Sequence, residues 1–408
     1  MNIYKIWSRL LILCVGCLFL TTACSDDDPE PLPSGECLRT VLVYMAADND
    51  LSGLEQTDLN ELKTGMAALG TTNVHLLVYI DNKSQEPKLV EYVANNGKVT
   101  ENVIKTYKAR NSVGVDETRE VFNDVFGDSR FKAQSYGLVY WSHGDGWIPN
   151  PLPSTRWIGK DTGNGTHYMN ISDLVSILDE APHFDFILFD ACFMLSVEVG
   201  YELRAYADYI LGSPTETPGT GAPYDKILPH MFAEDAAIPM AQAYFKAYQD
   251  IYKGYVDLST WREYWTGGTA IGVMKTSAFD ALAQATSGLC SDALAAGTIN
   301  DADLTSAFNY DKRNIYDSFY VGYYDMVELA QMLAPSDASF NTWKQAYDAV
   351  LVSWHTTPKN YSSSAGMFSM EGANGLSHYL PRANHDSATK AYQSTAWYQD
   401  AGLAALGF

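Results

Sequence analysis

Short apolar runs alternate with amphipathic segments along most of the chain. The runs are rich in Val, Leu, Ile and Tyr and carry polar residues mainly at their ends, which is typical of strands buried on both faces of a parallel sheet. Apolar residues three and four positions apart between the runs predict covering helices. The predicted strands are 40–45, 74–81, 136–142, 184–190, 209–212 and 269–274, with a hairpin at 89–93 and 98–107. The predicted helices are 53–69, 117–126, 172–178 and 197–207.

This alternation predicts an α/β fold with a mostly parallel central sheet. Beyond residue 300 the pattern changes: helical segments at 319–333 and 340–354 surround an irregular stretch and a short strand at 375–380. We therefore predict a first domain over 39–300 and a C-terminal α+β subdomain over 301–408 packed on it. In parallel sheets, ligands bind beyond the carboxyl ends of the strands.

The N-terminus has the features of an export signal. Lys5 and Arg9 precede an apolar run at 10–20 that is too short to span a membrane, and Ala23-Cys24 resembles a bacterial lipoprotein cleavage box. We predict a signal peptide over 1–24, lipidation of Cys24 and an acidic, Pro-rich linker over 25–38. The protein would then be anchored in the outer membrane, and the acidic linker resembles surface-export signals. Ordinary secretion without lipid is the alternative.

Composition and charge narrow the function. Hydrophobic residues make up 47% of the chain and charged residues 19%, enough for a large core. The net charge of −22 becomes −24 once the leader is removed, with 25 basic residues against 49 acidic ones. Such a chain repels nucleic acid and favours encounters with cationic partners. The few cysteines of the mature chain exclude a disulfide scaffold, although a Cys37–Cys290 bridge stays open.

Two predicted strands end in residues that can carry chemistry. His143, followed by Gly144, comes after the strand at 136–142, and Cys192 comes after the strand at 184–190. If the strands are neighbours, a thiol nucleophile and its proton-transfer partner face each other across one sheet edge. Alone, each residue is more commonly structural, the Cys as a small buried hydrophobe and the His as a hydrogen-bonded side chain.

Several segments in order along the chain resemble the clostripain family, within the caspase-like cysteine peptidases. They are 44–51 (YMAADNDL), 141–147 (WSHGDGW), 189–192 (FDAC), 213–216 (SPTE), 221–224 (GAPY), 324–329 (YDMVEL) and 375–381 (GLSHYLP). The resemblance implies a caspase-like three-layer sandwich. It also implies a secreted cysteine endopeptidase that acts on protein or peptide substrates.

The family's catalytic dyad carries over to His143 and Cys192. Cys192 would form a thioacyl-enzyme, and the backbone N–H groups of Gly144 and Cys192 would hold the oxyanion. In this family, the acid at the place of Asp190 resembles the floor of the pocket that selects Arg or Lys before the cut. Glu216 is a second candidate acid for that pocket. Alternatively, Asp190 caps the following helix.

Two further expectations follow from the same residues. A carboxylate near Cys192 would raise the pKa of its thiol, and Asp190 is the candidate because it lies two strand positions away. Clostripain-like enzymes are often cut between the two catalytic strands. Here that loop, 149–166, contains Arg156 and Lys160, which we predict as self-processing sites.

No metal site can be named from the sequence, and the proposed chemistry requires no cofactor. The segment 48–53 imitates the start of an EF-hand, but position twelve is Leu59 where Glu is required. The resemblance leaves calcium open without a ligand set. Two other functions remain: a catalytically silent surface-binding lipoprotein on the same fold, and a transpeptidase or ligase.

Overall fold

Strands and helices alternate through the parts of the chain that this computed structural model describes, residues 37–69, 73–148, 157–300, 303–313, 322–381 and 386–407. The strands are β1 (Cys37–Ala47), β2 (Val74–Asn82), β3 (Gln85–Asn95), β4 (Lys98–Thr106), β5 (Ala133–Trp141), β6 (Ile158–Asp161), β7 (His167–Met169), β8 (Phe184–Asp190), β9 (Ala207–Gly212), β10 (Ala270–Lys275), β11 (Tyr323–Asp325), β12 (Leu351–Thr356), β13 (Lys359–Ser362), β14 (Gly366–Ser369) and β15 (Ser377–Tyr379). The helices are α1 (Glu55–Leu69), α2 (Val115–Phe126), α3 (Ile171–Leu178), α4 (Val197–Leu203), α5 (Tyr224–Met231), α6 (Ala237–Ile251), α7 (Phe279–Ala296), α8 (Met326–Leu333), α9 (Asp337–Val350), α10 (Asp386–Gln393) and α11 (Ala396–Asp400).

One sheet of nine strands organises the fold, in the order β12-β10-β9-β8-β5-β1-β2-β3-β4. The central strands β9, β8, β5, β1 and β2 are parallel. Antiparallel strands extend both edges, β10 and β12 on one side and β3 and β4 on the other. The predicted α/β fold is confirmed, but the predicted hairpin is part of the main sheet.

Helices cover both faces of this sheet, as the alternation of side chains along β1 shows. Val41, Val43 and Met45 face a core shared with α1, α5 and α6. Leu42, Tyr44 and Ala46 face the opposite core, which includes α2, α3, α4 and α7. Because successive strand side chains point to opposite faces, a fully buried strand supplies both cores. The three-layer sandwich is confirmed.

Stacked tyrosines fix the register at the centre of the sheet. The ring of Tyr44 lies 4.5 Å from that of Tyr79 and 5.4 Å from that of Tyr140, and the three residues are register partners across β2, β1 and β5. One strand further, Trp141 of β5 is the register partner of Asp190 of β8. The carboxyl ends of the central strands are therefore level.

The chain beyond residue 300 belongs to the same compact unit, which extends from Cys37 to Phe408. Helices α8 and α9 pack into the core on one face, and β12 completes the main sheet at its edge. The predicted helix at 340–354 is thus wrong in its last turn, because α9 ends at Val350 and the next residues form β12.

The predictions for residues 1–36, including lipidation of Cys24, lie outside the described residues. The predicted linker over 25–38 extends too far, because Cys37 and Leu38 already belong to β1. Within the described residues, no helix combines the length and apolar character needed to cross a membrane. Cys37, Cys192 and Cys290 are free thiols, so no bridge joins Cys37 to Cys290.

Candidate active site

A cleft of about 730 Å³ lies at the carboxyl ends of β5 and β8. Its lining includes His143 and Gly144 after β5, Asp190 and Cys192 at the end of β8, and Glu216 after β9. Trp141 and Asp190 are register partners, so His143 and Cys192 each lie two residues beyond the same level of adjacent parallel strands. The cleft thus lies at the strand ends and brings the predicted site residues together.

The backbone around His143 is held between two neighbouring segments. The Ser142 hydroxyl donates to the Ala46 carbonyl at 2.8 Å, and the Gly159 N–H donates to the His143 carbonyl at 2.8 Å. The Nε2 atom of the imidazole lies 3.1 Å from Asp50 Oδ1, within ion-pairing distance but without hydrogen-bond geometry. Hydrogen bonds thus hold the backbone that carries the imidazole, and the carboxylate of Asp50 lies beside its ring.

Burial lowers the pKa of His143 below its ordinary value of 6.5, and the positive charge of Lys160 adds to this while Asp50 opposes it. Lys160 Nζ lies 2.9 Å from the same Asp50 oxygen that approaches the imidazole. Burial also acts against ionisation of Asp50, but the hydrogen bond from Lys160 and the charge of His143 keep the pKa of Asp50 at about 2. At neutral pH the imidazole is consequently neutral beside an ionised acid.

The surroundings of the Cys192 thiol favour its protonated form. Burial raises the pKa of Cys192 to about 12, and the charges of Glu216 and, more weakly, Asp145 act in the same direction. Thr217 opposes this, because its N–H donates to Cys192 Sγ at 3.3 Å and its hydroxyl lies 3.5 Å from Sγ. The sequence predicts such an effect from Asp190, whereas in the structure Glu216 is the carboxylate that contributes most to it.

Gly144 lies against the backbone of Cys192. A Cβ atom at Gly144 would lie 2.7 Å from the Cys192 carbonyl oxygen and 2.8 Å from Ala191 Cβ, so a side chain does not fit. Gly144 faces Ile158 in an antiparallel bridge of the type in which its own N–H points away from the partner segment. Within the described residues, neither the Gly144 nor the Cys192 N–H donates a hydrogen bond. Neither N–H group is therefore used by the described part of the fold.

Asp190 is buried at the inner side of the cleft. Its Oδ2 accepts hydrogen bonds from the Ala222 N–H at 2.8 Å and the Tyr224 hydroxyl at 2.9 Å. Burial raises the pKa of Asp190 to about 6, and these two hydrogen bonds limit the rise. The alternative role as a helix cap is wrong, because Ser196 caps α4 through a bond from the Val199 N–H.

Glu216 lines the same cleft, but its carboxylate is engaged elsewhere. It accepts a hydrogen bond from the Ser362 hydroxyl at 2.8 Å and from the Ser363 N–H at 2.9 Å. These bonds tie the loop after β9 to the hairpin of β13 and β14. Glu216 therefore acts on Cys192 through its charge and holds one wall of the cleft.

Comparison with known proteins identifies the family. The sequence model of the clostripain family matches residues 43–403, which is most of the chain. The chain belongs to the clostripain family. It is 27% identical over 217 residues to clostripain from Hathewaya histolytica, a match that covers 46% of this chain and 41% of that relative. The chain thus spans less than half the length of this curated relative.

Solved members of the clostripain family share the fold. A secreted cysteine protease from Bacteroides thetaiotaomicron, solved with an irreversible peptide inhibitor, is 42% identical with a TM-score of 0.81, over 90% of this chain and 99% of that one. An inactive zymogen protease from Parabacteroides distasonis is 29% identical with a TM-score of 0.73, over 91% and 99%. The chain is accordingly a member of a cysteine peptidase family with a caspase-like fold.

Sequence reasoning missed Thr217 and Arg313, which both line this clostripain-like cleft. Asp50 lines it too, one of the two positions that its place after β1 allows, the other being a helix cap. Arg313 pairs with Asp145 at 3.0 Å and with Asp311 at 2.6 Å, and its guanidinium lies 5.1 Å from the centre of the Phe193 ring. Phe193 itself has a φ of +60°, a strained left-handed conformation directly after Cys192. The sequence shows that these polar residues exist but not that they lie in the cleft. The left-handed backbone of Phe193 leaves no signal in the sequence.

The remaining predicted site residues have different outcomes. Lys160 lies in β6, paired with β7, while Arg156 lies outside the described residues. Within the described ranges, no group of three or more His, Cys, Asp or Glu side chains is placed to hold a metal ion. A calcium effect stays a prediction without named ligands.

Proposed function

We propose that the chain is an endopeptidase that cleaves after Arg or Lys through the dyad of His143 and Cys192. The observation that carries this proposal is their equivalent position beyond the Trp141–Asp190 register pair, in one cleft with a buried carboxylate. A nucleophile, a base and an acid for a cationic side chain are the minimum set for this reaction.

The reaction starts from a neutral dyad, because the pKa of Cys192 is raised and that of His143 is lowered. His143 takes the thiol proton as Sγ attacks the scissile carbonyl, and Asp50 stabilises the resulting imidazolium. The N–H groups of Gly144 and Cys192 hold the oxyanion. The proton passes to the leaving amine as the C–N bond breaks, and water then hydrolyses the thioacyl-enzyme.

Asp190 supplies the preference for a cationic side chain. Its Oδ2 is held by Ala222 and Tyr224, so the carboxylate cannot turn away from the cleft that it lines. An ionised carboxylate in a partly dry pocket binds a guanidinium or ammonium through charge-assisted hydrogen bonds. The Oε atoms of Glu216 are already bonded, which makes Asp190 the principal acid.

A panel of fluorogenic peptides that differ only in the residue before the cut tests this proposal. We expect Arg and Lys substrates to exceed all others by about 100-fold or more in kcat/KM, because an unpaired buried carboxylate penalises neutral side chains. An arginyl acyloxymethyl ketone should label Cys192, as mass spectrometry would show. A flat preference would contradict the assignment of Asp190, and an unlabelled Cys192 would favour the silent binding protein. Product analysis with an added amine separates hydrolysis from transpeptidation.

The pH dependence of inhibitor binding isolates Asp190 from the dyad. The pKa of Asp190 is about 6, so its carboxylate is ionised above that pH and takes up a proton below it. The inhibition constant of agmatine should therefore rise steeply, by up to about tenfold per pH unit, as the pH falls below 6. An inhibition constant that does not change between pH 5 and pH 8 would show that Asp190 does not bind the cation.

We also propose that the enzyme processes itself between the catalytic strands, and that Arg156 is the preferred position. Lys160 is less suited, because its N–H donates to Ser142 Oγ, its carbonyl accepts from Asn49 and its ammonium bonds Asp50. A peptidase needs an extended, accessible segment, which a residue bonded on all these sides does not offer. That a related protease is described as an inactive zymogen supports such a maturation step.

Processing can be read from the masses of the purified protein. We expect wild type to be two fragments cut after Arg156, and Cys192→Ala to be a single chain. Arg156→Gln should slow cutting strongly, whereas Lys160→Gln, as the matched control, should still be cut. Equal cutting of wild type and Cys192→Ala would mean that another protease makes the cut.

We infer an exported, lipid-anchored location from the N-terminal sequence. A related protease from Bacteroides thetaiotaomicron is described as secreted, which supports export. The anchor at Cys24 and display on the outer membrane stay predictions.

A further inference from the structure

A second buried carboxyl group lies beside the specificity pocket. Asp58 of α1 is 1% exposed, and its Oδ2 accepts a hydrogen bond from Trp141 Nε1 at 2.7 Å. Its Oδ1 is buried and has no hydrogen-bond partner in the part of the chain that the structure describes. A buried carboxyl oxygen without a partner is costly, so its retention calls for a ligand or a functional reason.

Gly221 lies between the carboxyl groups of Asp58 and Asp190. A Cβ atom at Gly221 would lie 2.8 Å and 3.0 Å from the two Asp58 oxygens and 3.1 Å from Asp190 Oδ2. Gly221 has a φ of +69°, which also favours glycine there. Gly221, Trp141 and Asp190 all line the cleft. Asp58 is not part of that lining, but it bonds Trp141 and lies against Gly221.

We propose that Asp58 is the second carboxyl group of the specificity pocket, and that the pair selects arginine over lysine. The proposal rests on the proposed cleavage after basic residues. Among the described residues Asp190 Oδ1 also accepts no hydrogen bond, so each carboxyl group brings one oxygen without a partner. Asp190 Oδ1 belongs to the lining of the cleft, whereas the buried Asp58 Oδ1 lies behind it and would be reached past Gly221.

The shape of the two cationic side chains explains the selection. A guanidinium presents five donors in a rigid planar fork, so it can give one edge to Asp190 and another donor to Asp58. A lysine ammonium is a compact point charge that one carboxylate already satisfies, and it leaves Asp58 Oδ1 unpartnered. Two carboxyl groups on either side of one glycine therefore favour arginine.

The charges around Asp58 are consistent with a pair that keeps a proton until a cation arrives. Burial raises the pKa of Asp58 well above its ordinary value, and the negative charges of Asp190, Glu61 and Glu55 act in the same direction. Tyr224, which faces Asp190, and Trp141, which bonds Asp58, are uncharged donors. A guanidinium supplies the positive charge that the buried pair lacks and takes the place of the proton.

Two substrates that differ only in Arg or Lys before the cut test the proposal with Asp58→Asn. We expect kcat/KM to fall about tenfold or more for the arginyl substrate and less than about threefold for the lysyl one, so that the preference collapses. Glu61→Gln is the matched control, because Glu61 lies on the same helix and also faces Asp190 but bonds only the Tyr224 N–H there. It should leave the ratio unchanged.

The outcomes separate this proposal from the one on which it rests. An equal loss on both substrates would make Asp58 structural, and no loss on either would remove it from the pocket; both results overturn the proposal while leaving Asp190 untouched. A loss of all preference for basic residues in wild type would instead refute the proposed function. Inhibition constants of N-acetyl-arginine amide and N-acetyl-lysine amide, measured on the same variants, must show the same change in ratio, because binding does not depend on an intact dyad.

Discussion

Replacing Cys192 with alanine is expected to reduce hydrolysis of an arginyl substrate by about 10⁴-fold or more, to the rate of the remaining binding and oxyanion contacts. The reason is specific to the position. Cys192 lies two residues beyond Asp190, opposite His143, and its Sγ is approached by the Thr217 N–H at 3.3 Å. Among the described residues that line the cleft, no other carries a thiol. Initial rates with one fluorogenic substrate measure the loss.

The other described cysteines supply the controls. Cys290 is buried in α7, away from the cleft, and Cys290→Ala should keep nearly wild-type kcat/KM. Iodoacetamide should modify Cys192, which is part of the cleft lining, before the buried Cys37 and Cys290. If Cys192→Ala retains activity while Cys290→Ala loses it, the assignment of the nucleophile is wrong.

The pKa shifts of Cys192 and His143 predict how His143→Ala behaves. Because burial keeps the Cys192 thiol protonated and the imidazole neutral, the enzyme has no preformed thiolate and depends on proton transfer during attack. His143→Ala should therefore lose nearly as much activity as Cys192→Ala, a non-additive pattern expected of groups that act as a unit.

The core of the fold could be predicted from the sequence because its strands are buried on both faces. The segment of β8 was predicted with its observed bounds, and those of β1 and β2 within a few residues. Their apolar runs have no polar face to confuse with a helix. Once the strands are predicted, their ends are predicted too, and these ends indicate the positions of His143 and Cys192.

The edges of the sheet were harder to predict, for a physical reason. Every residue of β12 is only half-buried, and its sequence continues the helical pattern of α9 without a Gly or Pro break. Its strand conformation depends on pairing with β10, about 80 residues earlier in the chain. Local pattern carries no information on such a partner.

The same limit applies to the site. His143 and Cys192 follow strands and Asp190 ends one, so their place in the sequence indicates them, whereas Asp58 and Thr217 come near them only through packing. Asp58 lies on a helix and meets Asp190 across Gly221, and Thr217 reaches Sγ from the loop after β9. For the same reason the sequence points to the wrong carboxylate beside Cys192. Strand alternation favours Asp190, but in the folded chain the charge of Glu216 acts more strongly on the pKa of the thiol.

Asp190→Asn should reduce kcat/KM for arginyl and lysyl substrates by about 100-fold or more, because it removes the charge from a charge-assisted pair in a partly dry pocket. The amide oxygen can still accept from Ala222 and Tyr224, so the loop stays in place. The loss should therefore appear in binding of the cationic side chain, with agmatine inhibition lost in parallel.

Stability separates this loss from misfolding. Folding raises the pKa of Asp190 to about 6, so the folded state loses stability as the carboxyl ionises with rising pH. At pH 7 the neutral amide avoids that cost, and Asp190→Asn should unfold at an equal or higher temperature than wild type.

Glu216→Gln is the matched comparison: it removes a charge that raises the pKa of Cys192, while its amide keeps an acceptor for Ser362. We expect it to retain the basic preference. A larger loss of that preference in Glu216→Gln than in Asp190→Asn would mean that Glu216, and not Asp190, binds the cation. The cation would then lie at the wall of the cleft that Glu216 forms with β13.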